Sequence, residues 1–249
     1  MLETLREYAG ERLAGDEASR LHRRHLRWFL DLAGQADRML QSPRQREWLV
    51  LLDTERDNLR AALRWSLAGD EAARSQGVRL TILLWRYWDL RALFNEGRAW
   101  ADAALSTSAR LDPRARAELL ATTAAIALWG GGHDEAAVLA RQSLDLFRSA
   151  GNEPGMASAA LLAGYAALYQ GDFATAGELL DHSRAEFARL GQRWDQASAL
   201  GRLGCLLRVR GEYGRSRARF EEALALHRDV GTSAGVAWTT WQFGVLAYH

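Results

Sequence analysis

Apolar residues recur at helical rather than strand spacing along nearly the whole chain. Leu2, Leu5, Ala9 and Leu13 share one face of a helix over about 1–13. Gly15-Asp16 breaks it, and Asp16 is placed to cap a second helix to about 40. The apolar stripe expected there is Leu21, His25, Trp28, Phe29, Leu32 and Ala36. Ser42-Pro43 stops and restarts the pattern, because proline is tolerated in a first helical turn. A third helix is predicted over about 44–67, carrying Trp48, Leu51, Leu52, Leu59, Ala62, Leu63 and Trp65, and Gly69-Asp70 ends it. Helical hairpins follow. The first, about 80–91 with 95–105, turns at Ala92-Leu93; the second, about 114–129 with a partner to 149, turns at Gly130-Gly131-Gly132. Two more turn at Gly171-Asp172 and Gly211-Glu212, and a last helix starts at about 234. No useful length of the chain alternates with strand period, so the pattern predicts an all-α protein.

The hairpins repeat. Gly131 returns as Gly171 and Gly211, Gly151 as Gly191 and Gly231, and Gly164 as Gly204 and Gly244, a step of 40 residues. Ala157, Ala197 and Ala237 keep that step, as do Asp172-Phe173 and Glu212-Tyr213. A fixed period of this size marks a solenoid, whose units bury their apolar faces by stacking. The expected division is a helical region over 1–75 and a solenoid over 76–249, with hairpins at about 76–109, 111–150, 151–190, 191–230 and a partial unit 231–249.

Small residues stand at one site of each first helix, Ala124, Gly164, Gly204 and Gly244. The second helices open on Ala136, Ala176 and Ser216, then place Ala140, Leu180 and Phe220 one turn on, then Ser143, Ser183 and Ala223. In this the unit resembles a lengthened tetratricopeptide repeat, although the large-residue signature is partial and the hairpin near 78–107 has Trp85 at its small site. The resemblance implies a right-handed superhelix whose concave face is lined by the first helices. Carried over, that face is Glu118, Ala121, Ala125, Leu128 and Trp129, then Ser158, Leu161, Tyr165, Leu168 and Tyr169. Next come Ser198, Gly201, Cys205, Arg208 and Val209, then Trp238, Trp241, Val245 and Tyr248. Glu118, Trp129, Tyr165, Tyr169, Arg208, Trp238 and Trp241 are the expected ligand- or partner-binding residues, since aromatics and arginine anchor binding hot spots. The alternative is that these rings fill the inside of a tight superhelix.

Composition narrows the function by exclusion. All 32 basic residues are arginine against 31 acidic ones, so no global field favours nucleic acid or an anionic membrane. Without lysine there is neither a Schiff base nor a P-loop lysine. Basic runs such as Arg20–Arg24 read as solvated helix faces. A single Cys205 suits a reducing cytoplasm, the expected location, and no run is apolar enough to span a membrane. His22 and His25 share a face without a third ligand; His133, His182 and His227 are scattered; Cys205 reads as a buried thiol; Glu221-Glu222 reads as solvated. No nucleophile elbow or catalytic spacing occurs. The expectation is a protein that is not an enzyme, with no catalytic residue, metal or cofactor assigned.

Leu2-Glu-Thr-Leu-Arg-Glu-Tyr-Ala9, Arg23-Arg24-His25 with Trp28-Phe29, and Glu55-Arg-Asp-Asn-Leu-Arg-Ala-Ala-Leu-Arg-Trp65 occur in that order ahead of the repeats. Together they are similar to the region that follows the nucleotide-binding and winged-helix parts of actinobacterial STAND-class ATPases, which include LuxR-type transcriptional regulators. That resemblance implies a regulatory arm that senses a protein, a peptide or a small-molecule inducer on its concave face. It also implies the ATPase module of the same polypeptide as a partner, with this chain a fragment of a longer protein. No direct contact with nucleic acid or membrane is expected of this region. Glu55, Asp57, Asn58 and Arg60 are the residues expected to dock that module. Local hydrogen bonding between the second and third helices, with Asn58 on a backbone group, is the plainer reading. A free-standing adaptor that binds a peptide or partner protein is the alternative function.

Overall fold

The computed structural model describes residues 16–107 and 111–248. Among them are twelve α-helices and no strand. The expected helix over 1–13 lies outside the described residues, as does the Asp16 side chain. The helices are α1 (Asp16–Met39), α2 (Gln45–Thr54), α3 (Arg56–Ala68), α4 (Glu71–Leu90), α5 (Phe94–Ser106) and α6 (Pro113–Trp129). They continue as α7 (His133–Ser149), α8 (Glu153–Tyr169), α9 (Phe173–Arg189), α10 (Arg193–Val209), α11 (Tyr213–Val230) and α12 (Ser233–Leu246). From α4 on they pair as hairpins, and the chain is an all-α solenoid. The first helices α4, α6, α8, α10 and α12 touch one another in sequence and form the inner layer. The second helices α5, α7, α9 and α11 lie outside, each wedged against the next unit.

Glycine sets the turns. Gly131, Gly151, Gly171, Gly191, Gly211 and Gly231 all have positive φ, between 62° and 87°, a region L side chains enter only with strain. Each lets the following N–H reach back to a carbonyl of the last helical turn, as Asp172 N–H does to Ala167 and Glu212 N–H to Leu207. Side chains then start the next helix, Asp112 capping Ala115, Asn152 capping Gly155 and Asp172 capping Thr175.

The packing explains the partial large-residue signature. A Cβ on Gly204 would lie 2.5 Å from Phe220, and one on Gly164 would lie 2.9 Å from Leu180. In the first of these units Ala124 faces the smaller Ala140 within one buried cluster. Small site and partner therefore vary together to keep the helix separation close. Ser143 and Ser183 lie one repeat apart and donate to the Ala117 and Ala157 carbonyls, tying each outer helix to its own inner one.

The first helices depart from expectation in phase and length. The buried stripe of α1 is Leu26, Phe29, Ala33 and Ala36, continued by Leu40 just past its end, while Trp28 is 67% exposed and Leu21, with Leu51 of α2, also faces out. The single helix expected over 44–67 is two, parted at Glu55. No glycine or proline marks that break. It lets Asp53, ending α2, accept from Tyr87 and pair with Arg91, while α3 turns Arg56 and Arg60 together onto Glu96 of α5. Helix α4 begins at Glu71, so it runs across the 75/76 boundary, and it packs on α1 and α3 as well as on α5 and α6.

The segment ahead of the hairpins meets the last helix. Buried Gln45, at the start of α2, accepts from the Ser233 hydroxyl at 3.0 Å and the Ala234 N–H at 3.1 Å, and donates to the Leu40 carbonyl at 2.7 Å. Pro43 fills the space beside Gly231. Removing Gln45 leaves the Leu40 carbonyl, in the core, and the half-buried Ala234 N–H without that partner, so Gln45→Ala is expected to cost about 1–3 kcal/mol in urea denaturation. It should also speed amide exchange at the α11–α12 turn. An unchanged midpoint would mean that the closure adds nothing to stability.

Candidate functional site

Closure of the curve leaves a chamber of about 450 Å³ on the inner face, and all five inner helices line it. Helix α4 brings Trp85, Arg86, Asp89 and Leu90; α6 brings Ala121, Thr122, Ala125, Leu128 and Trp129. Helix α8 brings Ser158, Leu161, Leu162 and Tyr165; α10 brings Trp194, Asp195, Ser198 and Arg202. Trp238 of α12 completes the ring, with Phe187 and His227 reaching in from the outer layer.

Two arginines organise the walls. The Arg202 guanidinium lies 4.6 Å from the Trp129 ring centre, 4.1 Å from Tyr165 and 4.3 Å from Trp238, and donates to the Tyr165 hydroxyl at 3.2 Å. Rings from three repeats thus hold one cation by cation–π attraction. Arg86 is held between Trp85 at 4.6 Å and Trp194 at 4.3 Å. It donates to Asp37 of α1 at 3.1 Å and pairs with Asp195 of α10 at 3.6 Å, joining three elements distant in sequence.

Burial shifts the ionisable groups of the chamber. It pushes the Asp89 carboxyl up to about 6, against the pull of Arg202 and Arg86. Asp195 is raised by burial too, with Arg86 opposing. Burial pushes His227 down to about 4, aided by Arg202, so its imidazole is neutral at pH 7. Tyr165 and Cys205 are raised mainly by burial and stay protonated there.

Of the residues expected to bind a ligand or partner, Trp129, Tyr165 and Trp238 line the chamber, together with Ala121, Ala125, Leu128, Ser158, Leu161 and Ser198 of the expected concave face. Tyr169 stands beside it, stacked on His133 at 3.9 Å with its hydroxyl 3.0 Å from that of Tyr165. Glu118 pairs with Arg114 along its own helix, and Trp241 is 63% exposed. Arg208, expected as the groove's cation, does not line the chamber; Arg202 does. Arg202 follows Gly201, one residue off the expected register, as Leu162 and Thr122 of the chamber wall are in the units before it. Trp85, Arg86 and Asp89 were missed because their hairpin fits the repeat least well.

The cluster expected to dock a second module is engaged within the chain. Asn58 donates to the Glu55 carboxylate at 2.7 Å, rather than to a backbone group as the plainer reading had it. Arg60 reaches Asp57 at 3.0 Å and Glu96 at 2.7 Å. The hydrogen bond from Arg60 does most to pull the Glu96 carboxyl down to about 2, with Arg56 adding to it and burial opposing. His22 stacks on Trp65 and His25 tilts against Phe29, and Cys205 is buried. Among the described residues no group of three or more His, Cys, Asp or Glu could hold a metal ion. A second, open hollow between α1 and α4 is lined by Arg20, Arg23, Arg24 and Arg27, with Arg23 on Asp70.

The chain is 27% identical over 241 residues to a protein of Mycobacterium tuberculosis (strain ATCC 25618 / H37Rv) provisionally named HTH-type transcriptional regulator Rv0890c. The same holds for Mb0914c of Mycobacterium bovis, which carries the same provisional name. The match takes in 93% of this chain and 26% of each relative, so the chain spans about a quarter of the length of the curated relatives it matches. No family model matches. Among solved structures it is similar to BtubC (BKLC) from P. vanneervenii, with a TM-score of 0.59 at 18% identity over 78% of this chain and 81% of that one. At that identity the likeness concerns the fold. No described helix is long and apolar enough to cross a membrane.

Proposed function

We propose that this chain is the sensing arm of a STAND-type transcriptional regulator, built of tetratricopeptide-like hairpins, and that it binds a small molecule without catalysing a reaction. The observation that carries this reading is the chamber. Its volume, about 450 Å³, falls within the range of small-molecule sites, and its apolar lining with a few placed polar groups is of the usual kind. Similarity to part of provisionally named transcriptional regulators supports the regulatory role. A pocket of this size, ringed by five helices, favours a small inducer over an extended peptide or partner protein.

The lining suggests how occupancy would become a signal. A ligand there touches all five inner helices at once, and small rotations between repeats sum along a solenoid. Tightening or loosening the curve alters the contact of Gln45 with Ser233 and Ala234, where the first helices meet the last. A ligand that prefers one curvature shifts the population toward it. In this reading an ATPase module elsewhere in the same polypeptide receives that shift.

Ser158 and Ser198 face the chamber, and their hydroxyls bond only carbonyls of their own helices. Ser158→Phe or Ser198→Phe should fill it. After incubation with a small-molecule extract of its own cells, the wild-type chain should carry a bound compound by native mass spectrometry, and the filled variants should not. Equal adducts on all three proteins, or none on any, would overturn the reading.

A further inference from the structure

Two charges lining the chamber form no ion pair among the described residues. The Asp89 carboxylate, half-buried on the chamber wall, makes no hydrogen bond or ion pair among the described residues. The Arg202 guanidinium has aromatic faces, the Tyr165 hydroxyl and the Cys205 thiol, but pairs with no carboxylate among the described residues. Arg86, by contrast, has carboxylate partners, Asp37 and Asp195. Asp89 and Arg202 influence each other through space yet do not form an ion pair. Buried charges are ordinarily paired, because an unpaired one loses its hydration without recompense. A separated, unpaired couple lining one cavity is therefore a template for a ligand carrying the opposite couple.

Resting on the reading of the chamber as a ligand site, we infer that its ligand is a small zwitterion with an apolar body, of the α-amino-acid class, with its ammonium on Asp89 and its carboxylate on Arg202. A ligand with one charge answers one wall group and leaves the other unpaired, and a lone anion also faces the Asp89 carboxylate. A zwitterion answers both and leaves the chamber's net charge unchanged. Leu90, Leu128 and Leu161 supply the apolar wall for its side chain. The aromatic faces do not serve as a cage for a ligand cation, since Arg202 and Arg86 already occupy them.

The test is calorimetric titration of the chain with L-leucine, L-phenylalanine and L-tryptophan, and with two single-charge analogues, 2-phenylethylamine and 3-phenylpropanoate. At least one amino acid should bind, and each analogue should bind about tenfold or more weaker than L-phenylalanine, the loss of one charge-assisted contact. Asp89→Asn should weaken amino-acid binding about tenfold or more without weakening 3-phenylpropanoate. Arg202→Met should spare 2-phenylethylamine instead; if that caged position does not tolerate the change, Asp89→Asn decides alone. An analogue binding as tightly as L-phenylalanine, or Asp89→Asn leaving amino-acid affinity unchanged, would overturn the inference. If no probe binds while the cell-derived compound still distinguishes wild type from Ser158→Phe, the zwitterion falls and the chamber reading stands. If that compound is absent too, both fall.

Discussion

Replacing Phe220 by alanine is expected to lower stability by about 3–5 kcal/mol, and adding Gly204→Ala to that variant should restore part of the loss. Phe220 is fully buried in α11 with its ring against the bare backbone of Gly204 in α10. Alone, Gly204→Ala would set its new methyl 2.5 Å from the ring and force the helices apart, at about 1–3 kcal/mol. With the ring gone, the same methyl enters the space it left. The double variant rebuilds the alanine pair found at Ala124 and Ala140. Urea denaturation of the four proteins should therefore show a coupling of about 1 kcal/mol or more in favour of the double variant. Simple additivity would mean that small site and partner do not set the helix separation jointly.

Asp89→Asn is expected to make the chain more stable, by about 1–3 kcal/mol at pH 7.5. The folded state raises this carboxyl from 3.8 to about 6, so folding favours its protonated form. The ionised form is a burden present above pH 6 and absent below about pH 4. The upper figure is reduced because Asp89 faces a chamber that water can enter. The gain should therefore vanish as pH falls from about 6 to 4. His227 works the other way. Its folded value, lowered from 6.5 to about 4, means that the unfolded chain takes up the proton first, so its contribution is lost as pH falls through the same window. In the wild type the two slopes oppose each other. Asp89→Asn should uncover acid destabilisation by His227, read by urea denaturation between pH 4 and 8. A pH-independent gain would show that the Asp89 carboxyl is not raised. Stability given up at a cavity wall is the mark of a group kept for binding, and for that reason the same variant tests the ligand class.

The N-terminal helices show where the pattern of the sequence ran out. Trp28 lies on the stripe expected of α1 but faces out, while Leu26, just off that stripe, is fully buried. One side chain of offset is within the tolerance of helical periodicity, and α3 and α4, packed on α1, select the buried edge. The break at Glu55 has no local signal, because side chains from α4 and from α5 hold its two flanks.

What the sequence determined by itself is everything that repeats locally. Glycines in left-handed turns, side-chain caps and small residues at close helix crossings act within one hairpin and its neighbour, so a period of 40 residues was enough to place them. The chamber belongs to the tertiary structure alone. Arg202 meets rings of α6, α8 and α12, and Arg86 meets α1 and α10, only because modest rotations between successive repeats add up to a closed curve. That sum depends on every interface at once, and no single stretch of the chain encodes it.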